Sequence, residues 1–201
     1  MLDSLIKDYN QRKFILASAS PRRAELLKNI GMSFDVVISA VDEDILSAGD
    51  IAKGLENNAR KKGLAVAKLY PDAIVISADT VVVLDEHVMG KPENREEASA
   101  MLQRLNGRIH SVMTAFGLIF YREQKSFFEI VTTRVKFRKL EMEEINAYIQ
   151  SGEPYDKAGA YAIQGVGSLL IDTIEGCYFN VVGFPISKFF TALHKFCGEL
   201  K

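Results

Sequence analysis

The chain has 201 residues, and its 25 lysines and arginines against 26 aspartates and glutamates give a net charge of −1 at pH 7. Its length suffices for one domain with a large buried core, and its composition, 48% hydrophobic and 25% charged, excludes disordered and fibrous classes. The near-neutral charge argues against binding of nucleic-acid polymers, because proteins that bind them carry a basic excess.

The two cysteines, Cys177 and Cys197, exclude a disulfide framework, and they lack zinc-ligand spacing with the three histidines. The first residues lack the apolar core of a secretory signal, and no apolar run approaches the roughly 20 residues of a membrane span. We therefore expect a cytoplasmic protein without membrane association. We expect an N-terminal extension over residues 1–13 and a single domain over residues 14–201.

Apolar runs and helical spacing of apolar residues predict the elements in chain order. In the first half they predict strands over residues 14–17, 34–38, 73–78 and 81–84, and helices between Ser20 and Gly31, over residues 51–69, and between Pro92 and Gly107. In the second half they predict a hairpin of strands over residues 109–120 and 127–137, a helix ending near Gly152, strands over residues 159–163 and 168–174, and a helix after Pro185. Strands that alternate with helices around a central hairpin predict a mixed α/β sheet.

The segment from Ser18 to Arg23 contains the first candidate site, because it lies where a strand ends and a helix begins. A helix N-terminus offers free N–H groups and a positive dipole end to an anion, and arginine binds phosphate with two donors. Ser18, Ser20, Arg22 and Arg23 are therefore candidate phosphate ligands. The alternative is an ordinary helix cap at Ser20 followed by solvated arginines.

Acidic residues form the second candidate. Asp79 follows a buried strand, where a carboxylate can hold a divalent cation or act as a general base. Glu43 lies in an acidic stretch after the second strand. The alternatives are a carboxylate at an ordinary strand–turn boundary for Asp79 and a solvated acidic loop for Glu43.

Two lysines and a glutamine complete the set. Lys91 stands before a helix start, a plausible phosphate position, and Lys62 lies in a basic triplet whose alternative is a solvated helix face. Gln164 lies in a glycine-rich segment over residues 153–165, and its amide can both donate to and accept from a base edge. The alternative for this segment is a glycine-rich turn between strands.

Together these residues suit a metal-assisted hydrolase of phosphoanhydrides. The chain has no Walker-type GxxxxGK[ST] motif and no GxGxxG fingerprint, which excludes a P-loop enzyme and gives no support to a dinucleotide-binding fold.

The chain also resembles a known family, the Maf family of nucleoside triphosphate pyrophosphatases. The matching blocks follow the family's order over nearly the whole chain after Lys13. They are ILASASPRRAELL at residues 15–27, SADTVV at 77–82, GKP at 90–92, ML at 101–102 leading to HSVMT at 110–114, DKAGAYAIQG at 156–165, and NVVGFP at 180–185.

The resemblance implies a two-lobed fold with a mixed twisted sheet and a nucleotide cleft, similar to the inosine triphosphate pyrophosphatases. It implies hydrolysis of a nucleotide at the α–β linkage to a monophosphate and pyrophosphate, with Mg²⁺, or Mn²⁺ or Co²⁺, as the metal. It also implies a small-molecule nucleotide as partner and a homodimer.

Matched residue by residue, the resemblance implies that Asp79 is the general base and a metal contact, and that Glu43 helps to hold the metal. It places Lys62 and Lys91 around the phosphates, together with the serines and arginines of the first candidate site. Thr80 and Gln164 match positions that, with Arg22, separate the subfamilies.

The form of residues 160–165 is similar to the branch acting on dTTP and UTP, which leads us to expect these or related or modified pyrimidine nucleotides as substrates. Two alternatives stay open: a pyrophosphatase of methylated GTP, and a non-catalytic nucleotide-sensing regulator of cell division.

Overall fold

The computed structural model describes residues 1–44, 46 and 49–200. The helices of this part are α1 Leu2–Leu5, α2 Pro21–Asn29, α3 Ile51–Leu69, α4 Arg95–Leu105, α5 Met142–Gln150, α6 Tyr178–Val182 and α7 Ile186–Gly198. Its strands are β1 Lys13–Ala17, β2 Asp35–Val36, β3 Ala73–Leu84, β4 His87–Met89, β5 Ile109–Phe120, β6 Lys125–Phe137 and β7 Ile171–Glu175. Short 3-10 turns lie at Tyr9–Gln11, Tyr121–Glu123, Glu153–Asp156, Ala158–Ala160 and Gly165–Leu170.

The strands of the described residues form one sheet in the order β2-β1-β3-β5-β6-β7, with β4 paired to β3. β1 is parallel to β2 and β3. Every pairing beyond β3 is antiparallel. The predicted mixed α/β sheet is therefore confirmed.

Two apolar clusters divide the molecule into two lobes. The first packs α2 and α7 against the sheet around Phe116, Phe184 and Phe189. The second packs α4 and α5 against the far ends of β3, β5 and β6, with Phe137 at its centre. Because β3, β5 and β6 run through both clusters, they tie the lobes together.

Helix α3 packs closely on β3 because it carries a glycine at the contact. A Cβ at Gly63 would lie 2.7 Å from Ser77 Oγ and 2.6 Å from Ile119 Cδ1, so no larger residue fits there. Glycine in a helix interior costs about 1 kcal/mol relative to alanine. The close approach brings the neighbouring Lys62 to the level of β3.

The register of β1 and β3 places the ends of these strands together. Ala17, the last residue of β1, pairs with Ser77, so the chain leaves β1 beside the middle of β3. Side chains alternate between the two faces of a strand. Ala78 packs in the cluster beneath α2 and α7, whereas Ser77 lies beneath α3. Asp79 therefore lies on the α3 side of β3, and Thr80 on the α2 side.

Most predicted elements are confirmed, including α3 and both hairpin strands. The strands predicted over residues 73–78 and 81–84 form one strand, β3, so Asp79 lies in its middle and not after its end. Three strand predictions are wrong or too long. Residues 159–163 form no strand, since Gly159 and Ala160 have φ values of 70° and 60° that a strand excludes. The strand predicted over residues 168–174 begins only at Ile171, after the 3-10 turn Gly165–Leu170. The strand predicted over residues 34–38 shortens to Asp35–Val36 at the sheet edge.

Candidate active site

A cavity of about 700 Å³ opens between the lobes, beyond the end of β1. All ten side chains that the sequence predicts as site residues line it: Ser18, Ser20, Arg22, Arg23, Glu43, Lys62, Asp79, Thr80, Lys91 and Gln164. None of its lining residues belongs to the predicted N-terminal extension, which packs in the first core cluster through Leu2 and Ile6. We name two of its walls: the strand-end wall, residues 17–23 and 79–82, and the glycine-rich wall, residues 156–164.

The N-terminus of α2 forms part of the strand-end wall. Ser20 occupies the cap position and Pro21 the first turn, as predicted, but the Ser20 side chain makes no capping hydrogen bond. The Ser20 N–H donates to Ser18 Oγ at 3.2 Å. Because the first N–H groups of a helix have no partner within it, this terminus offers donors and a positive dipole end to an anion.

Arg23 is buried and joins the strand-end wall to Ala78 and Gly183 beside it. It donates from Nη1 to Ser18 Oγ at 3.0 Å and to the Ala78 carbonyl oxygen at 2.9 Å. It donates from Nη2 to Thr80 Oγ1 at 2.8 Å and from Nε to the Gly183 carbonyl oxygen at 3.0 Å. The residue after β1, the middle of β3 and the residue after α6 are therefore held by one guanidinium.

These bonds change the interpretation of Arg23. Burial lowers its pKa, and the neighbouring carboxylates of Asp79 and Glu43 oppose that shift. The hydrogen bonds that Arg23 donates go to protein oxygens, so its observed function is structural. Its contact with substrate stays a prediction. The partners Thr80 and Gly183 are too distant in sequence for local pattern to reveal this.

Lys62 lies between the two predicted metal-binding carboxylates. Its ammonium is 2.8 Å from Asp79 Oδ1 and 2.6 Å from Glu43 Oε1. Asp79 is buried, the Lys62 side chain is only 12% exposed, and Glu43 is exposed. The solvated-face alternative for Lys62 is therefore wrong, because the close packing of α3 on β3 aims this side chain at Asp79.

The same face of α3 holds the acidic stretch that contains Glu43. Asn58 Oδ1 accepts from the Asp44 N–H at 2.8 Å, and Asn58 Nδ2 donates to the Asp44 carbonyl oxygen at 3.1 Å. Lys61 pairs with the Asp44 carboxylate at 2.6 Å. Sequence reasoning missed Asn58, although its helical spacing to Lys61 and Lys62, three and four residues on, was a usable signal.

Arg22 spans from the strand-end wall to the glycine-rich wall. Its Nη1 lies 2.8 Å from Asp156 Oδ2, and Lys157 pairs with Oδ1 of the same carboxylate at 2.5 Å. Partial burial opposes the shift, but the hydrogen bonds from Lys157 and Arg22 lower the pKa of Asp156 to about 2. Asp156 and Lys157 also line the cavity, and neither was among the predicted site residues.

Lys91 and Gln164 are exposed at the cavity. Within the described residues, neither side chain makes a hydrogen bond or ion pair, so both have their polar groups available. The segments that carry them are joined by the Gly159 N–H, which donates to the Gly90 carbonyl oxygen at 2.9 Å.

Two carboxylates that line the cavity, those of Glu43 and Asp79, could hold a divalent cation. No group of three or more His, Cys, Asp or Glu side chains able to hold a metal occurs among the described residues. Mg²⁺, however, is usually bound through one or two carboxylates together with substrate phosphates, rather than by a protein cage. Glu43 and Asp79, which already share the positive charge of Lys62, match that pattern.

In the part of the chain that the structure describes, no helix has the length and apolar character needed to cross a membrane.

Comparisons with known proteins agree with this architecture. The chain is similar in fold to a HAM1 protein from Coxiella burnetii, with a TM-score of 0.54 and 12% identity, covering 92% of this chain and 99% of that one. Curated relatives named dTTP/UTP pyrophosphatase include one from Desulforamulus reducens, 47% identical over 192 residues, covering 94% of this chain and 99% of the relative. Another, from Clostridioides difficile, is 46% identical and covers 90% of this chain and 94% of the relative.

The family model described as Maf-like protein matches residues 13–196. The match spans both lobes, β1 to α7, and includes all ten predicted site residues. The chain therefore belongs to the Maf-like protein family.

Proposed function

We propose that this protein hydrolyses dTTP and UTP at the α–β phosphoanhydride, giving the nucleoside monophosphate and pyrophosphate. The names of its curated relatives support these substrates. The structural observation that carries the proposal is the buried Asp79 carboxylate, 2.8 Å from the Lys62 ammonium, in a cavity also lined by Arg22 and Lys91.

The reaction adds one water across the anhydride. The water oxygen forms a bond to the α-phosphorus, and the bond from that phosphorus to the bridging oxygen breaks, so the bridging oxygen leaves with pyrophosphate. We assign Asp79 as the base that takes the proton of the attacking water. Lys62 holds this carboxylate in position, and its charge favours an anionic substrate nearby.

The strand-end wall supplies donors for the phosphates. The free N–H groups at the start of α2 can donate to phosphate oxygens, and so can the Ser20 hydroxyl, which makes no capping hydrogen bond. Lys91 and Arg22 add positive charge, which stabilises the negative charge that develops on the departing pyrophosphate. Arg22 must exchange Asp156 for phosphate, a replacement of one anionic partner by another.

Glu43 and Asp79 are the residues that would hold Mg²⁺. When bound, the ion neutralises phosphate charge and lowers the pKa of a coordinated water. We expect Mg²⁺, with Mn²⁺ or Co²⁺ as substitutes.

We propose that Gln164 recognises the base of the nucleotide. Its exposed amide offers one acceptor and two donors at the cavity, and thymine and uracil present both kinds of group on one edge. Thr80, whose Oγ1 is held by Arg23 and Thr114, sits deeper in the strand-end wall.

Pyrophosphate release from a panel of nucleotides, with and without Mg²⁺, tests the proposal. We expect turnover of dTTP and UTP that needs the metal, and an Asp79→Asn variant about 10³-fold slower with its fold intact. Asp72→Asn, in the exposed pair with Arg122 at the other end of β3, is the matched control and should keep full activity.

The same panel separates the alternatives. Preferred hydrolysis of methylated GTP would replace the proposed substrate, and binding of nucleotide without pyrophosphate release would favour a sensor. Near-normal turnover by Asp79→Asn would remove the assignment of the base.

A homodimer, which the family resemblance implies, and a cytoplasmic location, expected from the sequence, are further proposals. Sedimentation velocity of the purified protein tests the first, with a mass near twice 22.4 kDa expected. Cell fractionation tests the second.

A further inference from the structure

A carboxylate and a phenol lie beneath the segment that carries Gln164. Tyr148, on α5, donates from its hydroxyl to Glu153 Oε1 at 3.0 Å. Glu153 begins the 3-10 turn that follows α5. Tyr148 is buried, and burial raises its pKa, so its hydroxyl keeps its proton at neutral pH.

This pair binds the backbone on both sides of Gln164. On one side, the Ala162 N–H donates to the Tyr148 hydroxyl oxygen at 3.1 Å. On the other side, the Val166 N–H donates to Glu153 Oε2 at 3.2 Å, and the Gly167 N–H donates to Glu153 Oε1 at 3.1 Å. Three N–H groups within six residues are thus fixed by two side chains.

The backbone also packs directly on the pair. A Cβ at Gly165 would lie 2.8 Å from Glu153 Oε2, and a Cβ at Gly167 would lie 2.8 Å from the Tyr148 hydroxyl. Gly165 has a φ of 64°, which few other residues adopt without strain. The segment therefore has little room to move away from the pair.

Gln164 depends on this support because its own side chain makes no hydrogen bond within the described residues. A carboxylate that accepts several N–H groups forms stronger bonds than a neutral acceptor. The backbone of Gln164 in the cavity wall is thus held by anchors on both sides.

We propose that Glu153, together with Tyr148, is a positioning residue for base selection. The pair holds the backbone of Gln164 at the place in the cavity wall from which the Gln164 amide meets the edge of thymine or uracil. The inference rests on the proposed function, since it concerns the base selected by that site.

The test is a double-mutant cycle between Glu153→Gln and Gln164→Ala. The measured quantity is the ratio of kcat/KM for dTTP to kcat/KM for dGTP. We expect Glu153→Gln to lower the ratio about tenfold, mainly by raising KM for dTTP, with kcat little changed. In the Gln164→Ala background the same change should leave the ratio unaltered, because two residues acting through one contact are not additive.

A general structural role predicts a different result. It would lower kcat/KM for both nucleotides alike, or would add its full effect in the Gln164→Ala background, and either outcome overturns the proposal. Glu143→Gln, at an exposed position in the first turn of α5, is the matched control and should keep the wild-type ratio.

Two further measurements keep the test decisive. If Glu153→Gln does not fold, Tyr148→Phe removes one hydroxyl under the same segment and should lower the ratio about threefold, with no change overturning the proposal. Dissociation constants for dTTP and dGTP, measured in an Asp79→Asn background, report base selection in the absence of turnover. Absence of turnover in the wild type would therefore count against the proposed function alone, and an unchanged ratio of dissociation constants against the positioning role.

Discussion

The strand-end wall and the glycine-rich wall line one cavity, yet they are held in place by different means. The strand-end wall follows from regular structure, the parallel pairing of β1 with β3 and the start of α2, and a charged side chain, Arg23, ties its parts together. The glycine-rich wall is largely irregular, with a 3-10 turn at Ala158–Ala160. Its Ala162 N–H donates to the Tyr148 hydroxyl oxygen, and Glu153 accepts from the N–H groups of Val166 and Gly167 just beyond it. The comparison shows that the two walls, which we propose face the phosphates and the base, have different anchors.

The largest expected effect on stability comes from replacing Arg23, the anchor of the strand-end wall. Arg23→Lys keeps the charge but cannot reach four acceptors, so buried oxygens lose their donors. We expect the free energy of unfolding to fall by about 3 kcal/mol and the Tm by about 6–12 °C. Urea denaturation and thermal melting measure both.

Arg108→Lys is the control for this prediction. Arg108 makes a two-pronged contact with Asp85 in an exposed pair, where the expected loss is below about 1 kcal/mol. A normal Tm for Arg23→Lys combined with a raised KM would instead assign Arg23 to the phosphates.

The two walls also differ in how much of each could be predicted from the sequence. α3 and β5 are set by local periodicity, so their bounds could be read from sequence, and the candidate residue Ser18 follows the end of β1. Asp79 was expected after a strand end but lies within β3, so only its position on a buried strand could be predicted. The inward orientation of the Arg23 side chain depends on its hydrogen bond to the carbonyl oxygen of Gly183, which is 160 residues away in the sequence. No local pattern carries that information.

The glycine-rich wall was mispredicted for a related reason. Its apolar and small residues match a strand pattern, but a strand needs a partner for its N–H groups. In the predicted strand, the Gly159 N–H donates to the Gly90 carbonyl oxygen and the Ala162 N–H donates to the Tyr148 hydroxyl oxygen, and both are tertiary contacts. Glycines 159 and 165, both with positive φ, were the local sign that a strand could not continue.

The second prediction concerns His110 on β5, which contacts Tyr161 of the glycine-rich wall. Its Nε2 is 2.7 Å from the Tyr161 hydroxyl oxygen, and its buried Nδ1 has no partner within the described residues. Burial lowers the pKa of His110 from 6.5 to about 4. Between these values the unfolded chain binds a proton that the folded chain does not, so stability falls as the pH decreases from about 6.5 to 4.

The expected loss between pH 7 and pH 5 is about 2 kcal/mol. Urea denaturation at the two pH values measures it, and His110→Phe should abolish most of the difference whatever its effect on stability at pH 7. His87→Gln, at an exposed position of β4, should retain the wild-type difference. If His110→Phe retained it too, another group would be responsible.

The smallest expected effect concerns the ion pair that joins the two walls, Arg22 with Asp156. The carboxylate has a lowered pKa of about 2, below the ordinary 3.8, so its contribution to stability is complete above about pH 4 and is lost as the pH falls toward 2. Because the Asp156 side chain is 59% exposed, we expect the contribution to stay below about 1 kcal/mol.

Asp156→Asn should therefore lower the Tm by at most about 2–4 °C at pH 6 and by less at pH 3. Asp172→Asn, which breaks a similarly exposed pair with Lys136 away from the cavity, is the control for general surface effects. A larger loss than that of Arg23→Lys would mean that the walls stabilise each other through this pair. A small loss, shrinking with acid, supports two separately anchored walls that the substrate phosphates bring together when Arg22 exchanges its partner.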